Sequence, residues 1–264
     1  DTFLRSALGP NEQKWLAEVQ ALDRGALPEK LRHNLPDWLV DPLRQRLGDE
    51  EFWKLADAVN EAAPLDLRVN LLKAKREEVQ AALEAKGFKS TPTPFSPWGL
   101  RLEGKPALQK LDVFTSGQVE VQDEGSQLLS LLTEAKRGEM VVDFCAGAGG
   151  KTLALASAMG NKGEVWALDV DQRRMEELSR RARRAGASLI RSRVIAKDQA
   201  ADAQLADLRP DLVVMSSFRY TQVGADAGKD PDTVWRTGLA KTVTKVRPLA
   251  KHLLLLGDSA THED

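Results

Sequence analysis

Three glycines stand within the segment Asp143-Phe144-Cys145-Ala146-Gly147-Ala148-Gly149-Gly150-Lys151-Thr152, between a short apolar run and a helix-forming stretch. Glycine tolerates positive φ and lets a backbone approach a ligand closely, so this spacing predicts a cofactor-binding turn at the end of a strand. Three ligand classes compete for it. A phosphate-cradling loop ending in Gly150-Lys151-Thr152 needs a further glycine where Cys145 stands. A dinucleotide fingerprint starting at Gly147-Ala148-Gly149 meets Thr152 where its third glycine or alanine belongs. S-adenosyl-L-methionine remains. Asp169, closing the next apolar run, is placed to accept hydrogen bonds from a ribose diol, and a purely structural turn is the alternative.

Other reactive side chains are sparse. His33, His252 and His262 have no ligand spacing and Cys145 has no second cysteine beside it, so no metal site is predicted. Cys145 itself reads as a small packing residue in the turn. Between positions 171 and 197 stand nine basic residues against three acidic ones, a net of +6. That stretch is either an electrostatic face for phosphates, with Arg180 and Arg184 as contacts, or a solvated helix surface. Trp98, between Pro97 and Gly99, is either a base-stacking platform or a turn anchor.

Positioning such a turn requires a strand before it and a helix after it. Met140 to Ala146 supplies the strand, Leu153 to Met159 the helix, Val165 to Leu168 a second strand, and Gln172 to Ala185 a second helix stopped by Gly186. Leu189 to Ile195, Leu212 to Met215 and Leu253 to Leu256 add three strands, with room for one short crossover helix in Thr237 to Lys251. This alternation predicts an α/β, Rossmann-like domain over 119–264, a parallel sheet with helices on both faces. Upstream, Leu65, Leu67 and Val69 alternate with Asp66, Arg68 and Asn70 in the period of a half-buried strand. With a helix over Ala74 to Lys86 and a turn-rich stretch from Thr91 to Gly104, residues 64–118 read as a small α+β domain. Residues 1–63 read as a helical segment punctuated by Pro28 and Pro36, with Pro42 opening a helix and the tryptophans in its core.

A chain of 264 residues with 38 Lys+Arg against 39 Asp+Glu is near neutral, so a nucleic-acid role must rest on a local face. No apolar stretch approaches the ~20 residues of a membrane span. No cationic leader followed by an apolar run opens the chain, which predicts a cytoplasmic protein.

The segment Asp143 to Thr152 is similar to the cofactor loop of the Sun/Fmu-type RNA cytosine-5 methyltransferases, known among bacterial ribosomal RNA enzymes. Leu67-Arg68-Val69-Asn70 resembles a strand of that family's small RNA-recognition-like domain, and Val121-Gln122-Asp123-Glu124-Gly125-Ser126-Gln127 its entry to the catalytic domain. Asp169 with Arg174 matches the next signature, and Pro231-Asp232 with Trp235-Arg236 a later one. The resemblance runs from about Pro28 to Lys197 and is patchy beyond. It implies S-adenosyl-L-methionine held by Cys145, Ala146, Gly147, Ala148, Gly149, Gly150, Lys151, Asp169, Arg174, Asp198 and Ser216. It also implies RNA, of ribosomal type, contacted by Arg68 and Asn70.

The same resemblance breaks at the chemistry. Carbon 5 of cytosine is inert until a thiolate adds to carbon 6. The family's two cysteine signatures are matched here by Ser216-Ser217-Phe218-Arg219 and Gly257-Asp258-Ser259, which puts Arg219 and Asp258 at the cysteine positions and Ser216 at a cofactor-contacting aspartate. No catalytic residue is therefore assigned. An RNA methyltransferase scaffold impaired in the thiolate step is expected. A methyltransferase acting on a heteroatom and a non-enzymatic RNA-binding or assembly factor are the alternatives. Asp264 follows soon after the Leu253 to Leu256 strand, which is expected at an open edge: either a protein partner or self-association covers it, or the chain is a fragment or a drifted copy.

Overall fold

In the computed structural model the chain is described at residues 6–196, 203, 205–216 and 231–256, the side chains of 231–236 and of 238 excepted. It divides into two compact units, Asp1–Ala63 and Pro64–Asp264. The described residues of the first unit include the α-helices α1 (Pro10–Gln20), α2 (Glu29–His33), α3 (Asp37–Leu47) and α4 (Asp49–Asn60). Its core is small: Val40, Phe52, Ala56 and the His33 ring are buried, with the Arg44 guanidinium 4.6 Å above Phe52. Trp53 packs on this core, its ring 5.4 Å from Phe52, but Trp15 and Trp38 do not belong to it. Trp15 is 63% exposed and Trp38 45%, and α1 buries no residue at all, because helices this short offer no second layer to cover them. Pro42 does not open a helix either; it lies inside α3, whose first turn is taken by Asp37.

The second unit contains two sheets. The first is antiparallel in the order β2-β3-β1-β4, with β1 at Leu65–Val69, β2 at Ser90–Pro92, β3 at Gly99–Leu102 and β4 at Val119–Val121. One face carries Leu67, Val69, Leu100, Leu102 and Val119 onto α5 (Arg76–Glu84) and α6 (Asp112–Thr115) through Val79, Leu83 and Val113. The expectation of a half-buried β1 is corrected by the opposite face: Asp66, Arg68, Asn70, Glu120 and Gln122 are all buried too. Most of their polar atoms pair with one another or with neighbouring side chains, one Arg68 terminal nitrogen excepted. Arg101 forks onto Asp66 at 2.7 and 2.8 Å, and Arg68 Nε donates to Gln122 Oε1 at 2.6 Å. β4 pairs with β1, so the small sheet reaches Val121, past the boundary at 118.

After α7 (Glu124–Leu131) comes the second sheet, all parallel, in the order β7-β6-β5-β8-β9. Its strands are β5 (Met140–Phe144), β6 (Glu164–Asp169), β7 (Ile190–Val194), β8 (Leu212–Ser216) and β9 (His252–Leu256). Successive residues of β5 face opposite layers. Val141 packs with Leu153, Leu155, Met175 and Leu178 of α8 (Gly150–Ala158) and α9 (Gln172–Ala185), whereas Val142 packs with Leu205, Leu208 and Val246. Val246 ends α10 (Pro231–Val246), which starts earlier than the crossover helix expected from Thr237. Among the described residues β9 is an edge strand. No helix of the described residues is long and apolar enough to cross a membrane.

Candidate functional site

From β5 the chain winds to β6 and β7 on one side and later to β8 and β9 on the other. The turn after β5 therefore sits where strand order reverses, the place at which an open parallel sheet leaves a crevice beyond its strand ends. Its backbone is unusual. Cys145 has φ 80°, Gly147 57° and Gly149 86°; for Cys145, whose Cβ makes this region unfavourable, that is local strain held in place by its surroundings. The amides of Cys145 and Ala146 both donate to Leu168 O at 2.9 Å, which binds the turn to the end of β6. A side chain at Gly149 is disfavoured both by its φ and by a Cβ that would overlap the buried Leu178, which would have to shift. At Gly147 the opposite holds: a Cβ would meet nothing within 4 Å, which leaves open space over the turn.

Asp169 is 7% exposed and ends β6. Its Oδ2 accepts from the Gly147 amide at 2.7 Å and its Oδ1 from the Asp171 amide at 2.9 Å. Each oxygen keeps a second lone pair for a ligand hydroxyl. Gly150 and Lys151 open α8, so their amides have no partner within the helix and point out of its positive end. Ala146, Gly147, Ala148, Gly150, Lys151 and the Cys145 side of the turn are half-buried. Ser216 closes β8 and is half-buried, one residue beyond the Met215 that pairs with Phe144. Arg174 lies on the first turn of α9 with its side chain 65% exposed, 3.7 Å from Asp171, and does not meet the turn. Asp198, Lys197, Arg219 and Asp258 lie outside the described residues.

Asp143 emerges as a residue of the site that the sequence reading quoted but did not single out. It is fully buried beneath the turn, its Oδ2 accepts from Thr152 Oγ1 at 2.6 Å, and its Oδ1 has no partner. Burial pushes this carboxyl above the usual carboxylate range, against the hydrogen bond from Thr152 and the charge of Lys151. A carboxyl raised in this way holds its proton more tightly folded than unfolded. It therefore favours the fold as pH falls through that window and disfavours it as pH rises. Asp143→Asn keeps an acceptor for Thr152 without the charge. The variant is expected to melt no lower than the parent at neutral pH, with any advantage vanishing in acid. Melting scans across pH check this, and a variant that melts lower throughout would show the ionised form to be stabilising.

The expected RNA contacts come out differently. Arg68 and Asn70 are 1% and 2% exposed, which corrects their assignment as RNA contacts: neither presents a polar atom at the surface. Asn70 Nδ2 donates to Gly117 O at 2.9 Å and Ala185 O at 2.8 Å, while its Oδ1 accepts from the Leu72 amide. The amide is spent on joining the small sheet to the end of α9. Arg184 is half-buried and already engaged, donating to Glu120 Oε1 at 2.6 Å and lying 4.3 Å over the Phe114 ring. Arg180 is exposed and pairs with Glu177. Arg193 pairs with Asp207 at 3.0 Å. The basic face is thus thinner than its residue count suggested, and Arg173, Arg174, Arg183 and Arg191 carry its exposed part beside Arg180. Trp98 is 8% exposed and anchors its turn. Among the described residues no group of three or more His, Cys, Asp or Glu side chains is placed to hold a metal ion.

A parallel sheet of this order, with a glycine turn at the switch point and an aspartate ending the next strand, is the architecture of the Rossmann-like methyltransferase fold. Two family descriptions match the chain: "Methyltr_RsmF/B-like, ferredoxin-like domain" at residues 35–109 and "16S rRNA methyltransferase RsmB/F" at 130–215. The chain belongs to this RsmB/F methyltransferase family. It is 30% identical over 237 residues to the "Probable ribosomal RNA small subunit methyltransferase B" of Synechocystis, covering 88% of this chain and 52% of that protein. To the ribosomal RNA small subunit methyltransferase B of Vibrio cholerae it is 33% identical over 176 residues, 66% of this chain and 40% of the other. The crystal structure of a methyltransferase homologue from Pyrococcus horikoshii superposes with a TM-score of 0.70 at 25% identity, over 87% of this chain and 74% of that one. The chain spans about half or less of the length of these curated relatives.

Proposed function

We propose that this chain binds S-adenosyl-L-methionine at the turn Cys145 to Lys151 and, as a cytoplasmic protein, engages ribosomal RNA, but does not perform cytosine-5 methylation by the route its family uses. The observation that carries the cofactor reading is the Gly147–Asp169 hydrogen bond at the switch point. It fixes a turn with open space above Gly147 and outward amides at Gly150 and Lys151, next to a carboxylate that retains acceptor capacity. Backbone amides there suit the ligand's amino-acid end, and Asp169 suits its ribose. The cofactor, when bound, supplies an electrophilic methyl group. RNA would lie along the exposed basic residues of α9, Arg173, Arg174, Arg180 and Arg183, held by phosphate contacts that weaken with salt.

Calorimetric titration with S-adenosyl-L-methionine tests the reading. The unmodified protein is expected to give a saturable heat. Asp169→Ala is expected to weaken binding by about 1.5–3 kcal/mol, having lost both an acceptor for the ribose and the tie on Gly147. Absence of cofactor heat from the unmodified protein would end the proposal.

A further inference from the structure

One hydrogen bond joins the cofactor turn to a charge cluster centred on the buried Glu120. Arg181, on α9 and with its side chain 16% exposed, donates through Nη1 to Ala148 O at 2.6 Å. Ala148 is the residue between the turn's two positive-φ glycines. The other side of the same guanidinium, Nε and Nη2, donates to Glu120 Oε2 at 3.1 and 2.9 Å. Glu120 is 2% exposed and belongs to β4 of the small sheet. Its second oxygen takes Arg184, and the fully buried Arg68 lies close enough for the Glu120 charge to favour its protonated form. Gln122, two residues on, accepts from Arg68 and lies 3.8 Å from where a Cβ on Gly150 would stand.

We propose that Arg181 is a positioning residue for the cofactor turn, and that Glu120 fixes it, so that the small sheet holds the shape of the cofactor site without touching the ligand. A guanidinium is planar, and its fork cannot rotate to follow a moving carbonyl while two of its nitrogens are held by a buried carboxylate. Ala148 O is therefore held at a fixed distance from β4. The neighbouring residues that give the turn its left-handed backbone, Gly147 and Gly149, are the ones most free to collapse once that carbonyl is released. Lysine in place of Arg181 can reach the carboxylate or the carbonyl as a point donor, but not both in this geometry. Arg184 provides the internal control, because it shares Glu120 but its guanidinium donates to Glu120 and not to the turn.

The inference rests on the cofactor reading for its ligand and on geometry alone for its mechanics, and the two are tested by separate measurements. Arg181→Lys and Arg184→Lys are prepared in the full chain, and both are expected to lower the melting temperature. In calorimetry Arg181→Lys is expected to weaken S-adenosyl-L-methionine about tenfold, the worth of one charge-assisted hydrogen bond, with Arg184→Lys within about twofold of the parent. Without cofactor, amide hydrogen exchange at Cys145, Ala146, Gly147 and Gly149 is expected to accelerate in Arg181→Lys and not in Arg184→Lys. These four amides are all hydrogen-bonded in the folded turn. If Arg181→Lys does not fold, Arg181→Gln is read in the same two ways. Equal exchange rates in the two variants, or equal loss of affinity, would overturn the inference. An unmodified protein that gives no cofactor heat while its exchange pattern follows the prediction would sink the cofactor reading and leave the positioning role standing.

Discussion

Glu120→Ala is expected to destabilise the second unit by about 3–5 kcal/mol, the cost typical of removing one partner from a buried ion pair. Glu120 is the carboxylate shared by Arg181 and Arg184, paired at 2.9 and 2.6 Å, and its charge also bears on Arg68. Burial already pushes Arg68 down to about 10, and one of its terminal nitrogens has no partner. An arginine at that value is still charged at neutral pH. Without Glu120, the buried Arg68 and the half-buried Arg181 and Arg184 lose the carboxylate that the latter two share, and Glu177 is left as the acidic charge acting on Arg181 and Arg184. Glu120→Gln keeps an acceptor of the same shape and is expected to lose less than alanine but more than a surface mutation. Urea unfolding followed by circular dichroism checks the order parent, glutamine, alanine. An alanine variant within about 1 kcal/mol of the parent, the range of an exposed pair, would show that this cluster is solvated.

Turnover is expected to fail altogether. With cofactor and RNA both supplied, the chain should leave cytosine-5 methylation at background, because the addition to carbon 6 needs a thiolate that no residue after β8 or β9 provides. Cys145 is the chain's one cysteine. It is half-buried within the cofactor turn, on a strained backbone whose amide is committed to Leu168 O. Bisulfite-type mapping of cytosines beside a trapping assay with 5-fluorocytosine RNA measures this. A 5-methylcytosine signal or a covalent adduct would refute the expectation and point to Cys145. A single Asp258→Cys change is not expected to restore activity, since Ser216 and Arg219 depart from the family pattern at the same time and such groups act as a unit.

The parallel sheet was legible because its signals are local. Asp171 caps α9 by accepting from the Arg173 and Arg174 amides, and Gly186 ends it at φ 70°, so the helix bounds 172 and 185 can be read from the chain itself. The turn after β5 was legible for the same reason, since glycine types and spacing encode its backbone. What sequence could not show was which polar face meets another layer. Asp66, Arg68 and Asn70 alternate as solvent-facing residues would, and only the partners from 101, 122, 117 and 185 make them interior. Glu120 carried no signal either: a strand of three residues is too short for a period, and its arginine partners are about sixty positions away in sequence. Trp15 was misread in the opposite sense, because apolar spacing fixes a helix face without supplying the layer that covers it.

Domains strung along a chain are often treated as interchangeable modules, and the seam on β4 limits that freedom here. The small sheet contributes a negative charge at Glu120 and a fully used amide at Asn70, and α9 answers with two arginines and a carbonyl. A substitute small domain would have to bring a carboxylate to the same place on its last strand, or the arginines of α9 would have to change with it. Exchange of either half is constrained by this charge match, whatever either half binds.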